Sequence, residues 1–176
     1  FIEEGALDVD GIIHLAGAGV ADKRWTTSRR KEIRDSRIGS TRLLREEIKR
    51  TGSKPRFFVS ASAVGIYGDR KEEVLTESAD AGKDFLADVC REWEEEVLKL
   101  GEDGIAVSIM RIGIVLSTKG GALPRLAAPI RMGVGAYLGN GRQYYPWVHI
   151  DDLCGMILFS AEKELNGVYN ATAPVQ

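Results

Sequence analysis

The strongest constraint on this chain is a change of hydrophobic period that repeats along it. DGIIHLA at residues 10–16 is a short apolar run behind an Asp-Gly turn. Residues 28–51 then carry Ile33, Leu44 and Ile48 on one 3.6-residue stripe, and Gly52 stands where a helix would stop. FFVS at 57–60 is a second short apolar run. Asp84 opens a segment with Leu86, Val89, Cys90, Trp93, Val97 and Leu100 at helical spacing before Gly101, and IAVSI at 105–109 leads into Met110 and Arg111. Short unbroken apolar runs suit strands covered on both faces, and the long one-sided stripes suit the helices that cover them. Strand, helix, strand, helix, strand with right-handed crossovers makes a parallel sheet, so the fold class is α/β.

Beyond residue 117 the pattern loosens. KGGALPRLAAPIRMG reads as a Gly-rich loop and short helix, and GVGAYLGNGRQYYPWVHI as an excursion over the sheet edge. Asp151 or Asp152 caps a final helix that turns Leu153, Met156, Ile157 and Leu158 inward, and GVYNATAP closes with a strand and turn. A chain of 176 residues is the size of one domain. Its 24 Lys and Arg against 26 Asp and Glu leave a net charge of -2, without the basic excess that nucleic-acid binding leaves. The sequence has no run long enough to cross a bilayer, and FIEEGALDVD has neither the basic nor the apolar region of a signal peptide, so the expectation is a cytoplasmic protein with no membrane partner. A start without Met that runs quickly into a strand suggests a piece of something longer. Cys90 and Cys154 both read as buried free thiols in a reducing compartment. Two isolated histidines, His14 and His149, offer no convergent ligands, so no metal site is expected, and both read as hydrogen-bonded core residues. Asp151-Asp152 reads as a helix N-terminus rather than a catalytic carboxylate pair.

A few residues break the local rules. FFVSASAVGIYG changes from large apolar to small and hydroxyl-bearing side chains; Ser60, Ser62 and Tyr67 either face a crevice at the strand's carboxyl end or cap backbone in a turn. Positions 33, 37, 41, 44 and 48 share a helix face, yet two of them are Arg37 and Thr41. Arg37 either meets a phosphate or lies at the stripe's edge beside Glu32 or Glu46. Gly17-Ala18-Gly19 is a tight turn that also suits cofactor contact. Tyr144, Tyr145 and Trp147 line a pocket or form the core of the excursion, with core favoured by their clustering.

HLAGAGVADKRW, RKEIRDSRIGSTRLL, VSASAVGIYGD, DFLADVCREWE, MRIGIVLSTKGGAL and PWVHIDDL, in this order, resemble the extended short-chain dehydrogenase/reductase superfamily. Within it they resemble the NAD-dependent epimerase/dehydratase-like branch, whose members are often labelled nucleoside-diphosphate-sugar epimerases. The resemblance implies a Rossmann-like doubly wound parallel sheet, beginning near the family's fourth strand and so only the later part of that fold. Residues 1–117 would be the remainder of the NAD(P)-binding domain, and 118–176 a substrate-side excursion with a return helix and strand. By the same resemblance Leu15, Ala16 and Gly17 lie against the cofactor, NADP or NAD, and Glu32 and Arg37 are inward helix positions at its site. Ser60, Ala61 and Ser62 form the floor under nicotinamide and substrate, and Ile112, Gly113 and Val115 lie near the nicotinamide end. Ser62 matches the hydroxyl that orients a substrate oxygen, and Tyr67 serves as a substitute acid or as packing and substrate contact. The family's Tyr and Lys, four residues apart, fall on Leu86 and Cys90 when the helix is registered on Glu94. Losing such a pair forfeits about 10²- to 10⁴-fold in rate. The implied partners are a small molecule, in this branch a nucleotide sugar, and a second copy in a homodimer. Three functions follow as alternatives: an NAD(P)-dependent epimerase or oxidoreductase, a catalytically silent dinucleotide-binding sensor or scaffold, and an incomplete sheet whose edge pairs with another chain.

Overall fold

The computed structural model describes residues 7–135 and 141–174. In chain order it runs β1 (Gly11–His14), α1 (Thr27–Thr51), β2 (Phe57–Ala63), α2 (Phe85–Leu98), β3 (Ala106–Ile112), β4 (Ile114–Ser117) and β5 (Gly120–Gly121). It continues through α3 (Ala122–Arg131), β6 (Trp147–His149), α4 (Ile150–Glu162) and β7 (Gly167–Ala171). The four strands β1, β2, β3 and β7 pair in that order, all parallel. A smaller sheet in the order β5, β4, β6 stands beyond the end of β3. The Ala136–Asn140 part of the aromatic excursion lies outside the described residues.

Local chemistry explains the elements. Thr26 caps α1 by accepting from the Arg29 N–H, and Gly52 ends it at φ 68°, a conformation glycine adopts without strain. Asp84 Oδ1 accepts from the N–H groups of Leu86 and Ala87, each at 2.9 Å, and starts α2. One face of the large sheet packs on α1 and α2 through Phe58, Val107, Ile109, Ile38, Ile48, Trp93, Val97 and Leu100. Val59 and Met110 on the other face meet Leu153, Ile157 and Ala161 of α4. Side chains of this size, fully buried, each contribute about 1.5–3 kcal/mol.

Several sequence expectations change in detail. β2 continues three residues past its apolar run, to Ala63, and β3 one residue past the expected Arg111, to Ile112, because a neighbour pairs with every residue of the extension. The cap of α4 is His149, whose Nδ1 accepts from the Asp151 N–H at 3.3 Å, so His149 is exposed rather than core and the two aspartates fill the first turn. Leu158 faces outward at 56% exposure and Cys154 is exposed as well, since α4 covers the sheet with its other side. Tyr144, Tyr145 and Trp147 are also exposed, which removes the core reading. His14 is buried as expected, with Nε2 at 3.0 Å from Ser40 Oγ.

Candidate functional site

Parallel strands end together, and the ends of β1, β2, β3 and β7 form one edge of the sheet. At the end of β1, Leu15, Ala16 and Gly17 are exposed, and α1 ties down the turn that follows. Ser36 Oγ accepts from the Ala18 N–H at 3.0 Å, Arg37 Nη1 donates to the Ala18 carbonyl at 3.0 Å, and buried Arg29 donates to the Gly19 carbonyl. Gly17 lies directly over the Arg37 guanidinium: a Cβ there would stand 2.9 Å from Cζ. Arg37 also donates to the Ile33 carbonyl and stacks 5.4 Å from the Trp93 ring centre. It makes no ion pair among the described residues, and burial lowers its pKa, offset in part by Cys90. Arg37 therefore pairs with neither Glu32 nor Glu46. Glu32 is exposed and bound to Arg29 at 2.7 Å, which holds its carboxyl below the usual range.

The ends of β2, β3 and β7 are closed. Ser62, Arg111 and Asn170 are direct neighbours across three strands, all on the α2 side. Ser62 Oγ donates to Glu94 Oε1 at 2.6 Å. Arg111 grips the same carboxylate with Nε to Oε1 at 3.0 Å and Nη2 to Oε2 at 2.8 Å. Its Nη1 donates to the Tyr67 hydroxyl and to the Glu77 carbonyl, both at 2.9 Å. Tyr67 in turn donates to Asn170 Oδ1 at 2.6 Å. Burial alone would lower the Arg111 pKa, but the bonds to Glu94 and Tyr67 outweigh it and raise it. Ser62, Tyr67, Glu94 and Arg111 are all less than 9% exposed. A buried pair with both partners so fully bonded is stable as a unit and costly to break.

The other expected positions are dispersed around these two features. Ser60 is buried and donates to the Ala61 carbonyl at 2.9 Å. Ile112 and Val115 are half-buried, and Ile112 packs with the core on both faces. Gly113 owes its missing side chain to a neighbour on its own chain, since a Cβ would stand 2.6 Å from the Pro146 carbonyl oxygen. Leu86 is half-buried over Gly65, and Cys90 is a buried thiol whose pKa is pushed up to about 11 by burial and then by Glu94. Neither moves a proton near neutral pH. Arg111, Asn170 and Glu77 were missed from the sequence, and Glu94 served there only as a register mark. The available signal was an Arg at the end of an apolar strand with a Glu one step off the stripe of the neighbouring helix. Residues 7–135 and 141–174 contain no cluster of metal-binding side chains and no helix long and apolar enough to cross a membrane.

A parallel sheet with helices on both faces and an irregular region beyond its strand ends is the Rossmann-like, doubly wound class. Residues 2–172 match the model of the NAD dependent epimerase/dehydratase family, and the chain belongs to that family. It is 36% identical over 175 residues to epimerase family protein ML0860 of Mycobacterium leprae, covering 99% of this chain and 56% of that one. The crystal structure of human epimerase family protein SDR39U1 (isoform 2) with NADPH superposes with a TM-score of 0.88 at 30% identity, over 94% of this chain and 57% of that one. A nucleoside-diphosphate sugar epimerase from Corynebacterium glutamicum superposes at 0.79 with 36% identity, over 96% of this chain and 36% of that one. The chain thus spans about half the length of the curated relatives it matches.

Proposed function

We infer that this chain is the part of an NAD(P)-dependent epimerase- or oxidoreductase-like protein that forms one wall of the dinucleotide site. The observation that carries this reading is the end of β1: exposed Leu15, Ala16 and Gly17 over a guanidinium that no carboxylate among the described residues neutralises. That arrangement fits a polar, anionic dinucleotide, with Leu15, Ala16 and Gly17 against it and Arg37 supporting them from below. The relative crystallised with NADPH supports NADP, with NAD the alternative the family's name carries. When bound, the nicotinamide supplies a hydride acceptor or donor.

Ser62 is the side chain we assign to the reacting oxygen. Its proton is committed to Glu94, so it offers lone pairs and would accept from a substrate hydroxyl rather than donate to an oxyanion. Ser60 and Ala61 shape the floor beside it, and Ile112, Gly113 and Val115 the far side. Tyr67 has its proton on Asn170 and a lone pair on Arg111, which favours packing over acid catalysis. The C. glutamicum relative supports a nucleotide sugar as substrate class, and two free cysteines suit a reducing, cytoplasmic setting. The test is NADPH-dependent turnover of nucleotide sugars by the full-length protein, expected to fall sharply in Ser62→Ala; unchanged turnover removes the serine from the reaction.

One observation favours a second reading, a dinucleotide-binding sensor without catalysis. Leu86 and the neutral Cys90 thiol stand where the family's proton-transfer pair would be. NADPH stabilisation of the full-length protein with no turnover, and a gain of reductase activity in the Leu86→Tyr, Cys90→Lys double variant, would support it.

A further inference from the structure

After β2 a single 3-10 turn, Val64–Tyr67, leads through Gly68 to residues 69–84, which return at the cap of α2 without forming a helix or strand. Their backbone bonds to one another are single turns, Glu73 N–H to the Arg70 carbonyl at 3.2 Å and Ala79 N–H to the Thr76 carbonyl at 3.0 Å, and side chains tie the segment to itself: Arg70 grips the Glu73 carboxylate at 2.8 and 2.7 Å and donates to the Asp80 carbonyl at 3.2 Å. What holds them down comes from elsewhere. Arg111 Nη1 reaches the Glu77 carbonyl at 2.9 Å, the Asn170 N–H reaches Glu77 Oε1 at 2.8 Å, and the Asn170 side-chain amide reaches the Leu75 carbonyl at 3.3 Å. Leu75, Ala79 and Ala81 pack on the small cluster of Ile66, Tyr67 and Cys90, and the Gly82 N–H bonds the Ile66 carbonyl at 2.7 Å. The polar anchors therefore sit on the ends of β3 and β7, the same edge that carries Ser62.

We propose that Arg111 is a positioning residue that latches residues 69–84 to the ends of β3 and β7, and that the segment opens there as one cooperative flap. Segments without helix or strand and with few buried side chains open well below the global unfolding free energy, and the Arg70 bonds to Glu73 and Asp80 make this one move as a unit, so its exchange is governed by its anchors to the sheet. Arg111 suits the role because Glu94 already fixes Nε and Nη2, which aims Nη1 at Glu77 with little further entropy to lose. A lysine could neutralise Glu94 but has no second nitrogen for the flap. Holding Glu94, Arg111 also sets the direction of the Ser62 proton, so flap and serine share one anchor.

The test is residue-resolved hydrogen exchange on the full-length protein carrying Arg111→Lys or Glu77→Ala. In Arg111→Lys the amides of Glu73, Ala79 and Gly82 should exchange about tenfold faster and by a common factor, the loss of roughly one charged hydrogen bond. In Glu77→Ala they should again rise together, by a smaller factor, while the amides of α1 keep their rates in both. Unchanged exchange of these three amides, three unrelated factors, or an equal rise in α1 overturns the proposal. Glu77→Ala keeps the carbonyl that Arg111 holds and removes only the bond from the Asn170 N–H, so it tests whether the segment opens as one unit, and Arg111→Gln, which also lacks the second nitrogen pair, tests the latch should the lysine variant not fold.

Discussion

The end of β1 and the ends of β2, β3 and β7 lie along one edge of one sheet, yet they treat an arginine in opposite ways. Arg111 has a carboxylate, a phenol and a carbonyl around it, and its carboxylate is bound on both oxygens. Arg37 has two carbonyls, an indole face and, among the described residues, no carboxylate. Buried charge that is fully paired serves the fold, because nothing further can be gained by binding it. A charge kept beneath exposed residues, with no counterion among the described residues, is what an anionic ligand can still complete. Under the proposed function, the difference puts the side that still lacks a counterion at β1, while the paired cluster at β2, β3 and β7 serves the fold and holds Ser62 in place.

The largest effect should come from breaking the closed side. Glu94→Ala leaves Arg111 buried without its carboxylate and should cost about 3–5 kcal/mol in urea unfolding of the full-length protein. A cost below about 1 kcal/mol would mean that water reaches the pair and that the two sides differ less than their geometry indicates.

Cys90 stands between the two sides, feeling Glu94 from one and Arg37 from the other. Its pKa is raised from 9.0 to about 11, first by burial. The folded state thus favours the neutral thiol. That contribution is complete below pH 9 and disappears as the pH rises through about 11. Wild type should therefore lose up to about 2–3 kcal/mol relative to Cys90→Ala across that window. At pH 8 a thiol reagent should label exposed Cys154 quickly and Cys90 only on unfolding. Fast labelling of both would show that the flap over Cys90 is open in solution.

The open side is sharpened by Arg37→Ala. Stability should change little, whereas NADPH affinity, read as thermal stabilisation, should fall about tenfold, the size of one hydrogen bond to a charged group. A variant that keeps its NADPH shift would move Arg37 from ligand support to simple fastening of the turn.

How far the sequence reached differs between the same two regions. Arg37 was visible because helix period is local: one charged residue on an apolar stripe stands out within a few turns. The closed cluster was not. Ser62, Arg111 and Asn170 are 49 and 59 positions apart in sequence, brought level only by parallel register, and register across crossovers leaves no local mark. Ser62 and Tyr67 were singled out for their position at a strand end, but the identity of their partners depended on that register. The strands and helices up to β3 followed from periodicity, while β4, β5 and β6 did not, since they are short and no long one-sided helical stripe separates them from one another to mark where a strand stops.

The smallest effect is expected where the open side meets the small sheet's flank. Arg125 of α3 approaches Asp22, in the turn after β1, at 3.6 Å, with side chains 66% and 53% exposed. Screened by solvent on both sides, such a pair should leave the melting temperature of Arg125→Ala within about 1 °C of wild type. Its NADPH shift should also be unchanged, because Asp22 has buried Arg29 nearby, at 3.9 Å, on its other side. A lost NADPH shift with an unchanged melting temperature would extend the ligand's contacts from the β1 turn to α3, so that the binding side would span the mouth between them.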